Sequence, residues 1–302
     1  MIKYLHQLDQ WPSFIWDHEA ILPILSNVRH KQGKLYGYMQ GLGFDLRNET
    51  TLQTLTQDVL KSSEIEGETL NSDQVRSSIA RKLGMDVVGL IPADRNVEGI
   101  VQLMIDATQN YSEPLDKNRL FGWHAALFPT GRSGLNKIVV GNWRDNAKGP
   151  MQVVSGPLGK EKVHYEAPDS ERLEYEMNLF LDWFNSANTI DPVLKSAISH
   201  VWFVTIHPFD DGNGRIARAI ADMQLAKADA NPQRFYSLSA QLRLERNHYY
   251  DILEKTQKST LDITEWIVWF LKCMDNALNS TDEILQSVLL KTRFWDKHTQ
   301  TL

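Results

Sequence analysis

The sequence predicts an all-α protein with one minor β element. Over most of the 302 residues, apolar side chains recur at the three- and four-residue spacing of amphipathic helices. Residues 129–168 differ, because glycine and proline punctuate this stretch and leave only short runs of β-type residues, KIVV and MQVV. That composition is typical of irregular backbone with a small hairpin.

Four helices are predicted before this stretch. Asp17 is a suitable N-cap for a helix that carries Ile21, Leu25 and Val28, and a polar, glycine-containing segment near Gly33 is expected to follow it. The other three helices are expected at 52–65, from Asn71 or Ser72 onward, and at 96–111, with a loop at 84–92.

Five helices are predicted after it. One of them, 192–206, begins at Asp191-Pro192 and ends at His207-Pro208, because proline fits the first turn of a helix but does not continue one. The other four are expected at 169–186, from Asn213 onward, at 243–257 and at 262–279.

Composition argues against several classes of function. The net charge of −6 and the pI near 5.9, without a basic run, argue against nucleic acid as a partner of this chain. The single cysteine, Cys273, excludes an internal disulfide and a multi-cysteine metal site. The N-terminus lacks an apolar stretch of signal-peptide length, and the most apolar window, ITEWIVWFLKCM, is too short to span a bilayer. We therefore expect a cytoplasmic protein that has no membrane partner.

The segment IHPFDDGNGRIARAI, residues 206–220, carries the most specific chemistry. Gly212 and Gly214 flank Asn213 at a predicted helix start, so the backbone can turn sharply and approach a ligand closely. Free N–H groups and the positive end of the helix dipole form an anion site there. Arg215 and Arg218 share one helix face, where cations are unfavourable unless an anion lies beside them. This pattern favours a bound polyphosphate, which arginine can hold in bidentate fashion.

The same segment offers a metal ligand and a base. Asp211 is a hard oxygen ligand of the kind that Mg²⁺ or Mn²⁺ uses together with phosphate oxygens. His207 is a candidate general base, since histidine titrates near neutrality. Taken singly, a histidine before proline is an ordinary helix end, and two aspartates are an ordinary solvated turn. Their combination with the glycines and arginines favours a phosphate-binding enzyme, and no Walker or kinase signature is present.

Residues 207–218, HPFDDGNGRIAR, resemble the Fic motif, H-x-F-x-[DE]-G-N-G-R-x-x-R, at every fixed position. The resemblance implies a Fic-type helical bundle with a hairpin flap over the active site. It also implies transfer of AMP from ATP to a Ser, Thr or Tyr hydroxyl of a target protein. The implied roles are base for His207, metal ligand for Asp211, anion hole for Gly212, Asn213 and Gly214, phosphate ligands for Arg215 and Arg218, and buried anchor for Phe209.

The flap of this family docks the target chain as an added strand. KVHYEAP, residues 162–168, resembles its second strand and exit. The implied docking residues are Val163, His164 and Tyr165. Strand addition supplies backbone hydrogen bonds with little side-chain selectivity.

A nucleoside-binding helix is implied by NHYYDILEKTQ, residues 247–257. Tyr249, Tyr250 and Gln257 are its candidate adenosine contacts, although core packing is the simpler interpretation of Tyr249. WPSFIWD, residues 11–17, resembles the extra N-terminal domain of a bacterial Fic subgroup.

The resemblance also divides the chain. We expect an N-terminal helical region with the inhibitory motif at 1–90, a Fic catalytic core at 91–275 and a C-terminal helix at 276–302. The winged-helix module that often follows in relatives of this subgroup is expected to be absent.

An acidic helix end, SSEIEGET at residues 62–69, needs an explanation, because the helix dipole disfavours carboxylates there. Ser62 to Gly67 resembles the inhibitory motif of the family, [ST]-x-x-x-E-[GN]. The resemblance implies that Glu66 pairs with Arg218 and blocks seating of the γ-phosphate of ATP. Each of these two charges lies at the unfavourable end of its helix, so their pairing relieves both.

The neighbouring acids, Glu64 and Glu68, are expected to point elsewhere, because an offset of two residues on a helix changes the face. The alternative for all three glutamates is a solvated acidic helix end.

The favoured function is therefore an autoinhibited protein adenylyltransferase that also modifies itself, with a homodimer left open. Two alternatives remain. The same residues also suit removal of AMP from modified proteins, or transfer of a different phosphate-containing group. A regulatory binding module with a silent site is the alternative from another class, and the intact motif argues against it.

Overall fold

The computed structural model describes residues 4–86, 89–147, 149–157, 159–187 and 189–298. This part of the chain contains eleven α-helices, two short 3-10 helices and two short hairpins. The all-α prediction is confirmed, since β structure in this part is limited to two-stranded pairs. No described helix is both long enough and apolar enough to cross a bilayer.

The chain forms a first group of helices, then a middle region with the two hairpins, and then a second group of helices. The first helices are α1 (His18–Gln40), α2 (Phe44–Ile65), α3 (Ser72–Lys82), α4 (Arg95–Gln109) and α5 (Lys117–Leu127). The hairpins pair β1 (Arg132–Ser133) with β2 (Asn136–Lys137), and β3 (Gln152–Ser155) with β4 (Lys162–Glu166). The later helices are α6 (Leu173–Asn185), α7 (Pro192–Ile206), α8 (Asn213–Asp229), α9 (Leu238–Leu244), α10 (Arg246–Gln257) and α11 (Thr264–His298).

Side-chain caps explain where two helices begin. Asp17 Oδ1 accepts hydrogen bonds from the backbone N–H groups of Glu19 and Ala20, at 2.9 and 3.2 Å. Asn71 Oδ1 accepts one from the N–H of Gln74 at 3.0 Å and caps α3. Both starts were predicted from these polar residues and are confirmed.

The predicted end of α1 near Gly33 is wrong. The helix continues to Gln40, because Leu35 and Met39 extend its buried stripe, while Gly33 lies on the exposed side. Glycine lowers helix propensity but does not end a helix whose apolar face is packed.

Other differences concern short elements. Helix α5 was not predicted, and α9 is separate from α10. Only Lys137 of the KIVV run belongs to a strand, whereas MQVV contributes most of β3. The predicted domain boundaries stay predictions.

Helices α7 and α8 form the centre of the fold and position the motif. Residues 193–206 of α7 are all buried, and so is nearly every residue of α8 up to Ala226. One hydrophobic cluster surrounds this pair and includes Leu55 of α2 and Trp266 of α11. The loop between α7 and α8 therefore connects two helices that are buried along nearly their whole described length.

Substitution of Gly33 tests the extended α1. Gly33→Ala should raise the free energy of unfolding by about 0.5–1 kcal/mol, because alanine loses less backbone entropy and its Cβ would meet no atom within 4 Å. Gly84→Ala is the matched control, since Gly84 has φ +65° and alanine is strained there. Urea unfolding should show stabilisation in the first variant and destabilisation in the second; destabilisation by Gly33→Ala would mean that α1 does not run through this position.

Candidate active site

His207 lies at the C-terminal end of α7, where the motif loop begins. Pro208 stops the helix, and His207 adopts the left-handed conformation with φ 51° and ψ 58°, which is strained for a residue with a Cβ. Arg144 holds this conformation. Its Nε donates to the His207 carbonyl at 2.8 Å, and its backbone N–H donates to the Pro208 carbonyl at 2.9 Å.

Hydrogen bonding leaves the imidazole of His207 ready to accept a proton. Nδ1 lies 3.2 Å from the carbonyl oxygen of Val204, so Nδ1 carries the proton and donates it, while Nε2 keeps its lone pair. Burial lowers the pKa of His207 to about 4, against the opposing effect of the Val204 hydrogen bond. The ring is therefore neutral at physiological pH, as a general base requires.

Asn213 closes the loop that follows. The Phe209 N–H donates to Asn213 Oδ1 at 3.0 Å, and Asn213 Nδ2 donates to the Phe209 carbonyl at 2.7 Å. Phe209 is buried and stacks on His124, with 4.2 Å between ring centroids. The side chain of Asn213 is thus used by the loop, and its backbone N–H is the group available to an anion.

The start of α8 has the geometry of an anion site. Gly212 precedes the helix with φ 80°, and the N–H groups of Asn213, Gly214 and Arg215 lie in the first turn, where a helix has no internal acceptors for them. A methyl group on Gly214 would overlap Glu66 Oε1. Glycine at this position therefore permits a carboxylate to approach the helix start closely.

Arg218 is engaged by the C-terminal end of α2. Its Nη2 lies 2.8 Å from Glu66 Oε1, its Nε donates to Ser62 Oγ at 2.9 Å, and its Nη2 donates to the Ser62 carbonyl at 2.9 Å. The guanidinium is almost fully buried. The structure brings together the three residues of the predicted inhibitory contact.

Arg215 also has an acidic partner, which the sequence reasoning missed. Its Nη1 lies 2.7 Å from Glu68 Oε2, and its guanidinium lies over the ring of Phe128 at 5.1 Å. The expectation that Glu68 points away from the site is wrong. Glu64 does point elsewhere, since it pairs with Lys61 at 2.7 Å.

Asp211 lines a cavity of about 420 Å³ beside the loop, together with Ser133, Arg144 and Asp210. Its Oδ2 accepts from the Ser133 hydroxyl, and its Oδ1 accepts from the Gly212 N–H at 2.5 Å. A half-buried carboxylate at a cavity edge fits Mg²⁺, which binds one or two carboxylates together with phosphate oxygens.

His124 orients the backbone of Asp211 through a hydrogen bond. The Gly141 N–H donates to His124 Nδ1 at 3.2 Å, so Nε2 carries the proton and donates to the Asp211 carbonyl at 3.2 Å. Burial lowers the pKa of His124 to about 4, which keeps this pattern at neutral pH. No motif marks His124, Ser133 or Arg144 in the sequence, because each acts through a partner distant along the chain.

The three candidate nucleoside residues differ in position. Tyr249 is 1% exposed and its hydroxyl lies 2.8 Å from His200 Nε2, so we assign it to the core. Gln257 is buried and donates to the Val204 carbonyl at 3.4 Å. Tyr250 is half-buried, and its hydroxyl lies 3.4 Å from Glu66 Oε2, beside the carboxylate at the start of α8.

Hairpin β3–β4 is the predicted flap, and its three candidate docking residues face different surroundings. Val163 is exposed. His164 Nδ1 lies 2.5 Å from Glu254 of α10, which fastens the flap to that helix. Tyr165 is buried and donates to the Thr205 carbonyl at 2.6 Å. The side chain of Tyr165 therefore anchors this hairpin, and the role of the three residues in target docking stays a prediction.

Two family matches cover separate parts of the chain. Residues 114–225, which include the whole motif, match the Fic/DOC family. Residues 4–85, which include Ser62 and Glu66, match a family described as a domain of unknown function (DUF4172).

Curated relatives carry the name protein adenylyltransferase Fic. The protein from Nematostella vectensis is 24% identical over 272 residues, which are 85% of this chain and 55% of the relative. The protein from Aedes aegypti is 26% identical over 230 residues, which are 74% of this chain and 41% of the relative. The chain thus spans about half the length of these relatives or less.

Solved structures support the predicted fold. A Fic family protein from Desulfovibrio desulfuricans has a TM-score of 0.64 at 24% identity. The match covers 88% of this chain and 74% of the Desulfovibrio chain. A Fic domain containing signaling protein from Bacteroides thetaiotaomicron has a TM-score of 0.60 at 18% identity. That match covers 87% of this chain and 95% of the Bacteroides chain. The Fic-type helical fold is confirmed.

The protonation state of His207 is testable by NMR. We expect the imidazole to stay neutral, with the proton on Nδ1, from pH 8 down to about pH 5, because burial lowers its pKa to about 4. Nitrogen-15 spectra across this range check the prediction, and the signal missing from His207→Gln identifies the residue. A titration midpoint near the usual value of about 6.5 would contradict it.

Proposed function

The chain carries a Fic/DOC family domain, and on that premise we propose that it is a protein adenylyltransferase, which transfers AMP from ATP to a Ser, Thr or Tyr hydroxyl of a target protein. The observation that carries the proposal is the neutral imidazole of His207 at one end of a loop whose other end is an anion site with two arginines. Attack of a hydroxyl on a phosphate needs this combination of base and phosphate site.

In the proposed reaction, His207 Nε2 takes the proton of the target hydroxyl, and the hydroxyl oxygen attacks the α-phosphorus of ATP in line. The bond to the leaving pyrophosphate breaks. The backbone N–H groups at the start of α8, with Arg215 and Arg218, stabilise the phosphate charge. Asp211 would hold Mg²⁺, which supplies further charge neutralisation on phosphate oxygens when bound.

The flap is the proposed docking element for the target. Its exposed valines, Val153, Val154 and Val163, offer an apolar surface beside open strand edges. We propose the protein itself as a second acceptor of AMP and the cytoplasm as its location, and a homodimer remains a compatible form.

Autoinhibition by Glu66 is part of the proposal. The carboxylate of Glu66 lies against Gly214 and pairs with Arg218, so it takes the place where a phosphate group would bind. Ser62 supports it by holding the same guanidinium.

A second candidate function is removal of AMP from modified proteins. It is favoured by the position of Glu66, a carboxylate inside the phosphate site that suits the orientation of an attacking water. Incubation with an AMP-modified protein in the absence of ATP separates removal from addition.

His207→Ala should reduce AMP transfer by at least about 100-fold, because the general base is lost. The comparison is best made in a Glu66→Gly background, where the phosphate site is open. Labelling from α-labelled ATP measures transfer, and calorimetry measures ATP binding, which should change little since His207 is not a proposed phosphate ligand. Transfer at an unchanged rate would remove His207 from the role of base.

Glu66→Gly should raise self-labelling and target labelling by at least about tenfold, equivalent to about 1.4 kcal/mol. The variant leaves Arg218 buried without its carboxylate, so ATP should also raise its melting temperature more than that of the wild type. Glu64→Gly is the matched control, because Glu64 pairs with Lys61 and Arg243 outside the phosphate site. Equal labelling by the two variants would refute inhibition by Glu66.

A further inference from the structure

The turn after α2 brings a second carboxylate back to the phosphate site. The Glu68 N–H donates to the Ser63 carbonyl at 3.0 Å, and the Gly67 N–H donates to the Glu64 carbonyl at 3.1 Å. Gly67 has φ +84°, so the chain reverses in a Schellman motif instead of continuing around the helix. Glu68 therefore leaves the helical spacing and lies on the side of α8.

The two side chains of the Glu68–Arg215 pair differ in their exposure to solvent. The side chain of Arg215 is 5% exposed and lies over Phe128, so its cation is held in place. The side chain of Glu68 is 48% exposed. An incoming anion thus has to displace only a partly solvated carboxylate, while the arginine keeps its position.

Arg215 also has a donor that Glu68 does not use. Its Nε is buried and has no hydrogen-bond partner within the described part of the chain. Glu68 reaches only Nη1. An anion with several oxygens, such as a phosphate group, would satisfy more of this guanidinium than one carboxylate oxygen does.

We infer that Glu68 is a second inhibitory residue, which occupies the phosphate-binding position of Arg215 while Glu66 occupies that of Arg218. This inference rests on the proposed function. Arg215 and Arg218 are three residues apart on one helix face, so the segment 65–68 places two negative charges against them as a polyphosphate would. The chain carries its own mimic of the phosphate groups.

Binding measurements on the full chain test this without requiring transfer. Glu68→Gln keeps the size of the side chain and removes its charge, so the affinity for ATP and for inorganic triphosphate should rise about twofold to fivefold, the upper range of a partly exposed ion pair. The affinity for adenosine, which has no phosphate to compete with Glu68, should not change. Isothermal titration calorimetry gives all three affinities.

Two further variants sharpen the test. Glu64→Gln is the matched control and should leave all three affinities unchanged, because Glu64 pairs outside the site. In Glu66→Gly/Glu68→Gln, the affinity for ATP should exceed that of either single variant, since the two carboxylates pair with different arginines. The labelling rate at low ATP should follow the affinity.

The outcomes separate the inference from the function. If Glu68→Gln binds ATP and triphosphate no better than Glu64→Gln while Glu66→Gly shows AMP transfer, the inference is wrong and the function stands. If the affinities rise but no variant transfers AMP, Glu68 competes with phosphate groups for Arg215, and the transferase proposal fails. An equal gain for adenosine would also overturn the inference, because it would indicate a general loosening of the site.

Discussion

The buried cation of Arg218 is the constraint on which the site depends. A guanidinium left in the protein interior without an anion costs about 3–5 kcal/mol, and the start of α8 adds the positive end of a helix dipole beside it. Ser62 supplies two neutral acceptors, which satisfy hydrogen bonds but leave the charge. A negative group has to be present, whether it belongs to the chain or to a ligand.

This constraint accounts for the polar face of α2. Asp58, Ser62 and Glu66 follow at four-residue spacing, so they share the face that meets α8. Asp58 is buried, and this burial, reinforced by the neighbouring Asp222, raises its pKa above the usual range of an aspartate. Glu66, at the end of this face, is the carboxylate that reaches Arg218.

Features that depend on neighbouring residues could be predicted from the sequence better than features that depend on contacts between distant residues. The cap at Asp17, the end of α7 before Pro208 and the glycine loop of the motif all depend on neighbouring residues, and the structure has them. Gly33 does not end α1, because tertiary packing outweighs the weak helix propensity of glycine. Arg144 carried no signal, since its role exists only through the carbonyl of His207, 63 residues away.

Glu68 shows the limit of helical spacing as an argument. An offset of two residues points to another face only while the helix continues, and Gly67 ends it with a left-handed turn. Because Arg215 and Arg218 are buried and fixed, the inhibited and the nucleotide-bound forms would use the same two cations and differ in the anion that occupies them. The cations would need no rearrangement, so the cost on the side of the protein would come mainly from the displacement of two carboxylates of unequal exposure. Glu68, the more exposed of the two, would be the easier to displace, and the displacement of both carboxylates would contribute to the affinity for a polyphosphate.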